Sequence, residues 1–431
     1  MKIGGVEATA IAQRFGTPCY VHDAGIIRER HLELSSCLPK GSDIFYGVKA
    51  HANVAILQLL RRLGCGVDAC SPGDLEFARA AGFSGSQISY HSHGASTNEL
   101  SRALEAGATL ILDSHTQIER VARLQPGARV GLRINVGIEA GFAPLVQAGA
   151  RSSKFGIHDF ELESALVRSR SLGLTVVGLH SHLGSDLSSP SPHLELLERL
   201  LALASHCPDI EFVDIGGGWG TPFLPTDAGN QYPPLDREAR YPFAAFGRGV
   251  ASLLDSFESG SPRRPRLRVE PGAYLMMEAG VLLASVTEIK EPAGIGGQRT
   301  SRFVCTDTSY NHVHSAVVHQ TFHEILLARS TGQRPLEYQT VTGHLMQAGD
   351  LLARDRMLPR LEPGDLLVVL RCGAYKASRA PTFNERPRPA EVLVDGGRAT
   401  LVRRRESDED LLSHQMPASG PGAISFSIDR G

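Results

Sequence analysis

Short apolar runs alternate with amphipathic stretches from residue 43 to 272, and this alternation predicts an α/β fold. Eight runs have the length and composition of buried strands. They are DIFYGVKA (43–50), GVDACS (66–71), ISYHS (88–92), TLILDS (109–114), RVGLRINV (129–136), VVGLHSHLG (176–184), IEFVDIGGG (210–218) and RLRVEPG (266–272). Helical patterns such as AILQLLRRLG and LEFARAAG separate the early strands. Since alternating strands and helices form parallel sheets, eight units predict a closed (β/α)8 TIM barrel.

The pattern changes after Gly272, where short apolar segments are separated by glycine and proline. Segments such as DLLVVLRCGAY and AEVLVDGGRATLVRR are typical of antiparallel strands, so we expect a C-terminal β-domain. CYVHD (19–23) precedes the first barrel helix and is expected to join that later sheet. Four regions follow: 1–23 joining the β-domain, 24–272 forming the barrel, 273–405 forming the β-domain, and 406–431 forming a flexible tail. The proline-rich stretch 221–242 is predicted to be an insertion before the eighth strand.

Composition excludes several classes of protein. The 431 residues are 42% apolar and 21% charged, as in soluble enzymes, and their net charge of −2 gives no basis for binding nucleic acid or a membrane. No segment approaches the roughly 20 apolar residues that span a bilayer, and the N-terminus lacks the apolar core of a secretory signal. The seven cysteines form no CxxC pair, which favours reduced thiols and a cytoplasmic protein.

Polar residues stand at the carboxyl ends of most predicted strands, which is where barrels of this class carry their chemistry. These residues are Lys49, Asp68, His91, Arg133, His180, His182, Gly216–Gly218 and Glu270. One such residue would mean little, because a lysine that ends a strand is usually only a solvated cap. The set as a whole predicts an active site at the mouth of the barrel.

The residue types at these strand ends suggest a phosphate-bearing cofactor. Gly216–Gly218 can bring backbone N–H groups against a phosphate, although a glycine run is more often a simple turn. Ser185 could donate another hydrogen bond to that phosphate. Glu270 would need a partner if it is buried, and a protonated pyridine nitrogen would serve. His182 could stack on such a ring, or be a hydrogen-bonded histidine with no further role. In this company, Lys49 is interpreted as the residue that holds pyridoxal 5′-phosphate (PLP) as a Schiff base.

Eight ordered segments resemble a known family. They are YGVKAHAN (46–53), VDACSPGDLE (67–76), SKFGI (153–157), HSHLGS (180–185), DIGGGWG (214–220), VEPG (269–272), AGDLLARDRMLP (348–359) and GAYKASRAPTFNERPRPAEVLV (373–394). Over roughly residues 15–400 the chain resembles the fold-type III, alanine-racemase-like PLP-dependent decarboxylases, which include the diaminopimelate, ornithine and arginine decarboxylases.

The resemblance implies a role for each matched residue of the cofactor site. Lys49 would bond to PLP with Asp68 nearby, and His182 would stack on the ring. Ser185, Gly216, Gly217, Gly218 and Tyr375 would hold the phosphate, and Gly272 would belong to the same site. Glu270 would pair with the pyridine nitrogen. The family also implies a homodimer in which the partner's β-domain completes each active site.

Departures from the family pattern fall on positions that contact substrate. Met346 replaces the cysteine that returns a proton after CO2 leaves, and Gln347 replaces an acidic residue. A thioether has no proton to give. Ala273 replaces an arginine, Ser315 replaces a substrate-binding arginine, His319 replaces a tyrosine, and Gln320 replaces an acid. We therefore expect a pocket of Ser315, His319, Gln320, Met346 and Gln347 for a neutral, bulky or unusual side chain.

The leading hypothesis is decarboxylation of an amino acid or an amino-acid-like compound, with atypical reprotonation, in amino-acid or specialised-metabolite biosynthesis. Lys49, His344, His319 or water could supply the proton, with His344 or Lys49 favoured. The alternatives are decarboxylation-dependent transamination, elimination, racemisation or carbon–carbon bond formation on PLP, and a non-catalytic PLP binder. His312, His314, His319 and His323 are interpreted as pocket or interface residues, and no metal is expected.

Overall fold

The computed structural model describes residues 1–141, 147–220, 241–258, 264–291, 302–319, 321–329, 332 and 334–416. The N-terminal segment precedes the barrel and supplies one strand to the later sheet. Its elements are β1 (Lys2–Ile3), β2 (Val6–Glu7), α1 (Ala8–Phe15), β3 (Cys19–Asp23) and α2 (Ala24–Cys37).

Eight parallel strands close into a barrel, as the sequence predicts. The strands of this region are β4 (Asp43–Gly47), β5 (Gly66–Ala69), β6 (Ile88–Tyr90), β7 (Thr109–Leu112), β8 (Arg129–Asn135), β9 (Ile157–His158), β10 (Thr175–His180), β11 (Phe212–Asp214) and β12 (Arg266–Val269). β12 pairs with β4, and β8 pairs with β10, so the circle is complete; β9 only extends β8. The TIM-barrel prediction is confirmed, and each predicted strand overlaps an observed one.

Amphipathic helices surround the barrel. They are α3 (Val54–Arg62), α4 (Pro72–Ala80), α5 (Thr97–Glu105), α6 (His115–Leu124), α7 (Leu162–Ser171), α8 (Ser191–Ala204) and α9 (Phe243–Glu258). Local sequence fixes where several begin. The Ser71 hydroxyl accepts from Asp74 N at the start of α4, and Ser96 forms a reciprocal capping box with Glu99 at the start of α5. These caps satisfy N–H groups that a helix start otherwise leaves unpaired.

Glycines make room for an aromatic ring inside the barrel. The Phe212 ring lies against Gly131 of β8 and Gly178 of β10, and a Cβ at Gly178 would overlap that ring. The Arg268 guanidinium also lies over this ring, 3.6 Å from its centroid. Phe212 is therefore closely packed, and there is little space for a residue larger than glycine at position 178.

Gly178→Ala should destabilise the protein by about 1–3 kcal/mol, because the added methyl group overpacks the barrel interior. Urea unfolding of the variant would measure this loss. Gly349→Ala is the matched control, since a Cβ at Gly349 meets nothing within 4 Å. The control should change stability by less than about 0.5 kcal/mol, and an equal loss in both variants would contradict the packing argument.

The second sheet contains strands from both ends of the chain. After α10 (Ala273–Met276), its elements are β13 (Gly280–Lys290), β14 (Arg302–Thr306), α11 (His314–Val318), β15 (Ile325–Leu327), β16 (Leu336–Thr342), β17 (Leu351–Pro359), β18 (Leu366–Val369), β19 (Ala390–Asp395) and β20 (Arg398–Arg403). The order is β17-β16-β14-β13-β3-β19-β20, with β18 pairing β13 and β15. β3 lies between β13 and β19, which joins the N-terminal segment to the β-domain.

The sheet differs in two respects from a purely antiparallel arrangement. β3 and β19 are parallel, and so are β14 and β16. The whole barrel lies between β3 and β19 in sequence, so their connection is long enough for a parallel pairing, which a tight turn could not make. The segment after Gly272 also begins with the short helix α10 before β13 starts.

Two predicted segments fall largely outside the described residues. These are most of the insertion, at 221–240, and the end of the tail, at 417–431. The described part of the tail includes α12 (Asp408–Leu412), capped by Ser407, with Arg404 paired to Asp410. Among the helices of the described ranges, none combines the length and apolar character needed to cross a bilayer.

Candidate active site

Lys49 follows β4 in a single helical turn, Val48–Ala50, at the mouth of the barrel. Its side chain remains accessible to solvent, whereas Val48 and Ala50 on either side are buried. The Ala50 carbonyl oxygen accepts hydrogen bonds from Tyr375 N at 2.9 Å and from the Ser378 hydroxyl at 3.1 Å. The backbone that carries Lys49 is therefore fixed by the C-terminal part of the chain as well as by the barrel.

Ionisable groups gather around the Lys49 amine. When ionised, Cys70, Asp68, Tyr375 and Glu270 raise the pKa of Lys49, and together they outweigh the opposing effect of burial. Burial, followed by the charge of Glu270, raises the pKa of Asp68 to about 7. Burial also raises the pKa of Tyr375. The structure thus places Lys49, Asp68, Glu270 and Tyr375 in one electrostatic cluster.

Glu270 follows β12 and is buried, with only one of its oxygens hydrogen-bonded. Oε2 lies 3.1 Å from His180 Nε2, whereas Oε1 is buried and has no hydrogen-bond partner among the described residues. Burial lowers the pKa of His180 to about 4 and raises the pKa of Glu270. A buried carboxylate oxygen without a partner is costly. A protonated ring nitrogen placed against Oε1 would satisfy it, so this residue fits the pyridine end of PLP.

Backbone crowding explains the glycines after β11. A Cβ at Gly217 would overlap the Glu270 carbonyl oxygen, and one at Gly218 would overlap the Gly184 carbonyl oxygen. Gly216 N donates to Asp214 Oδ1 at 2.9 Å, and Gly217 N donates to His182 Nδ1 at 3.2 Å. Gly218 N makes no such bond within the described residues and lies beside the segment that leads to Ser185. The loop therefore fits a phosphate, with Gly218 as its available backbone donor.

His193 was missed by sequence reasoning, yet it supports this loop from behind. His193 Nε2 lies 3.1 Å from the Gly217 carbonyl oxygen, and Nδ1 lies 2.9 Å from the Tyr241 hydroxyl. Since the carbonyl can only accept, Nε2 carries the proton and Nδ1 accepts from the tyrosine. The N–H of Gly217, in the preceding peptide unit, donates to His182 Nδ1. In the sequence, the sign of this role is that His193 is a polar residue on the otherwise apolar face of α8.

Burial lowers the pKa of His193 to about 4, against roughly 6.5 in an unfolded chain. Between those pH values the unfolded chain binds a proton that the folded chain does not. Stability should therefore fall as pH drops from 6.5 to 4, with this residue contributing at most about 3 kcal/mol. Urea unfolding at several pH values would show a shallower decline for His193→Gln than for the parent. Parallel curves would contradict this assignment.

The predicted substrate residues of the β-domain lie in a second group. Ser315 Oγ is 2.9 Å from His323 Nε2, His319 Nε2 is 3.5 Å from Arg379 Nη1, and Gln347 Oε1 accepts from the Tyr310 hydroxyl at 2.7 Å. Among the described contacts, no hydrogen bond, ion pair or ring contact joins Ser315, His319, His344, Met346 or Gln347 to Lys49, Asp68 or Glu270. Gln320 lies outside the described residues.

His319 and His323 are four residues apart but do not share a helix face, because α11 ends at Val318. The chain turns at that point, where Thr321 N bonds to the Ser315 carbonyl oxygen. His323 is then buried against the Leu370 carbonyl oxygen, 3.0 Å away, while His319 stays exposed.

Comparison with known proteins agrees with the geometry of the barrel mouth. Residues 24–277 match the family described as pyridoxal-dependent decarboxylase, pyridoxal binding domain. The chain belongs to this family. It is a PLP-dependent carboxy-lyase, and the orphaned Glu270 oxygen and the glycine loop are the features of its own structure that fit the cofactor.

Relatives of this decarboxylase extend the likeness to nearly the whole chain. It is 34% identical to the diaminopimelate decarboxylase of Methanothermobacter thermautotrophicus over 429 residues, covering 97% of this chain and 96% of that one. It is also 34% identical to the enzyme of that name from Pseudomonas fluorescens, covering 95% of each. Among solved structures, diaminopimelate decarboxylase from Helicobacter pylori complexed with L-lysine has a TM-score of 0.83 at 26% identity, covering 94% of this chain and 98% of that one.

Lys49→Ala should abolish the visible absorbance of the bound cofactor and lower activity by more than about a thousandfold, because the covalent link and its amine are both lost. Absorbance spectra of the purified variant would check the first effect. Lys40→Ala is the control, since Lys40 is exposed in the turn before β4. A normal spectrum for Lys49→Ala would rule out the proposed link.

Proposed function

We propose that this chain removes the α-carboxyl group of an amino acid and that Lys49, rather than a thiol, returns the proton to the α-carbon. Two observations support this: Met346 stands where the family has its cysteine, and the ionised groups around Lys49 raise its pKa despite the opposing effect of burial. Bound PLP supplies an electron-accepting ring for the bond-breaking step. The remaining work falls to side chains of the chain itself.

Each residue at the mouth of the barrel has a distinct task in this proposal. Glu270 would hold the pyridine nitrogen of bound PLP, and His180 orients the carboxylate through Oε2. His182 is kept neutral by burial, which lowers its pKa well below the usual value, so it packs on the ring without adding charge. Ser185, Gly218 and Tyr375 hold the phosphate. Asp68 and Glu270 stabilise the Lys49 ammonium once its nitrogen is free.

The rival proton donors are less suitable on electrostatic grounds. Burial and the charge of Arg386 lower the pKa of His344 to about 4. Burial and the charge of Arg379 also lower the pKa of His319. Both imidazoles are therefore neutral at pH 7 and are poor acids there. Lys49 is the nearby group that carries a transferable proton, so the choice between Lys49 and His344 falls on Lys49.

The second group of predicted residues would act in a homodimer. Met346 is 93% exposed, and Val318 and Phe383, also in the β-domain, are exposed as well. An exposed apolar set of this kind suits a contact surface. In the proposed dimer, Ser315, His319, Met346 and Gln347 line the substrate side of the partner's barrel mouth. Light scattering after gel filtration would give the mass of the assembly directly.

The relatives of this chain are diaminopimelate decarboxylases, which suggests a related substrate. Ser315 and Gln347 stand at positions where the resemblance implied charged side chains, so the distal group of the substrate would be held differently here. We propose an α-amino acid whose distal group does not need an arginine at position 315. Diaminopimelate, lysine, ornithine and neutral bulky amino acids form the test panel.

Turnover in deuterated water should give an amine with one deuterium on the former α-carbon and no carbonyl product, as mass spectrometry would show. His344→Ala and His319→Ala should keep their rates within about threefold of the parent, whereas loss of an acid catalyst costs about a hundredfold or more. Met346→Leu is the matched control: it replaces one side chain that cannot donate a proton with another, so the rate should change little. A hundredfold loss in either histidine variant would transfer the role to that histidine.

A further inference from the structure

A second buried cluster of ionisable side chains lies beside the active site but takes no part in it. His22 is in β3, Glu391 is in β19, and His51 follows the turn that carries Lys49. All three side chains are buried, with at most 3% of each exposed. The cluster therefore connects the barrel to strands β3 and β19 of the second sheet. Its barrel member, His51, is two residues after Lys49 in the sequence.

The ligand atoms of these residues converge on a small volume. Glu391 Oε2 lies 2.9 Å from His51 Nε2 and 3.5 Å from His22 Nε2, and the two imidazole centroids are 4.5 Å apart. One nitrogen from each imidazole and one carboxylate oxygen all lie within 4.8 Å of one another. Two neutral imidazoles and one carboxylate are a ligand set that binds Zn²⁺ and similar ions.

Hydrogen bonding alone does not satisfy this arrangement. Asn53 Nδ2 also approaches Glu391 Oε2, at 3.3 Å, so three nitrogens face one oxygen. A carboxylate oxygen offers about two lone-pair sites. Neither ring nitrogen of His22, nor Nε2 of His51, has a well-directed hydrogen bond in the described structure. At least one imidazole therefore faces the oxygen without a good donor geometry.

A metal ion between these atoms would remove the conflict. With metal–nitrogen bonds of about 2.0–2.1 Å, neighbouring ligands of a tetrahedral site are roughly 3.3 Å apart. The two measured nitrogen–oxygen distances, 2.9 and 3.5 Å, lie on either side of that value. The imidazoles would then direct lone pairs, not protons, at the centre of the cluster.

Outer contacts also suit a metal centre. Asn53 is held in place because its Oδ1 caps α3, accepting from Ala55 N at 3.0 Å, which leaves its amide nitrogen for Glu391. Arg403 Nη1 lies 3.5 Å from the other carboxylate oxygen, Oε1, and its side chain is 35% exposed, so solvent screens its charge. Ligating carboxylates are commonly hydrogen-bonded from outside in this way.

We propose that His22, His51 and Glu391 bind one divalent transition-metal ion, such as Zn²⁺, that fastens the Lys49 turn to the β-domain. The role is structural, because all three ligands are buried, and a water molecule would complete the tetrahedral set. This proposal concerns a site separate from the cofactor site and does not depend on the identity of the substrate.

The test uses untagged, cofactor-loaded protein, since bound PLP covers the other histidine–carboxylate group of the described residues, formed by His180, Asp214 and Glu270. After chelation and dialysis, titration with Co²⁺ should give visible d–d absorption that saturates at one ion per chain. Zn²⁺ should displace the Co²⁺ and raise the melting temperature of the protein. X-ray absorption of the bound ion should show two imidazoles.

Glu391→Gln and His22→Tyr should each lose the stoichiometric ion while retaining the cofactor absorbance, which reports folding. His93→Gln is the matched control, because His93 pairs with Asp113 at 3.0 Å in a partly exposed setting away from the cluster. Absence of stoichiometric Co²⁺ or Zn²⁺ uptake by the parent protein would overturn the proposal. Unchanged uptake by Glu391→Gln, or a spectrum without imidazole ligands, would overturn it equally.

Discussion

The burial of the Glu270 carboxylate is the constraint on which the mouth of the barrel depends. An isolated charge in such a position would cost many kcal/mol, so the protein must compensate it. His180 satisfies one oxygen, and the positive charges of Lys49, Arg133 and Arg268 lower the pKa of Glu270 against the larger effect of burial. Among the described residues the second oxygen has no hydrogen-bond partner, so a bound ring nitrogen could supply one. The site therefore selects a cofactor that fits its shape and also supplies a hydrogen bond to the buried Glu270 carboxylate.

The residues around Glu270 are held so that none of those described donates a hydrogen bond to its free oxygen, Oε1. Gly217 allows close approach of the Glu270 backbone, and its N–H and C=O are bonded to His182 and His193 respectively. Because each of the two peptide units that meet at Gly217 is held by one of these bonds, neither is free to rotate towards Glu270. The fixed Gly216–Gly218 loop therefore leaves Glu270 Oε1 available for the ring nitrogen of the cofactor.

Sequence reasoning found the barrel and the residues at the strand ends because both follow a local rule. Each strand is a short apolar run, and the residue after it, such as Lys49 or Glu270, must lie at the mouth. His193 and Tyr241 could not be found this way. Their roles depend on contacts with Gly217 and with each other that only the closed barrel creates.

The cluster of His22, His51 and Glu391 could not be predicted from the sequence for a similar reason. Its members lie far apart in the chain and meet only where β3 pairs with β19. The parallel pairing of those strands was also unexpected, because their apolar pattern does not encode direction. For Ser315, His319 and Met346 the sequence predicted the residue types but not their neighbours. Their proposed partners belong to a second chain, whose surface no single-chain pattern describes.

The hydrogen bonds from Tyr375 and Ser378 to the Ala50 carbonyl have a consequence for synthesis in the cell. A ribosome makes the chain from its N-terminus, so the barrel and Lys49 emerge long before these two donors. Until then the turn that carries Lys49 lacks its outer support, and β3 lacks its neighbours β13 and β19. Capture of the cofactor in its final geometry is therefore a late event, completed only as the last strands leave the ribosome.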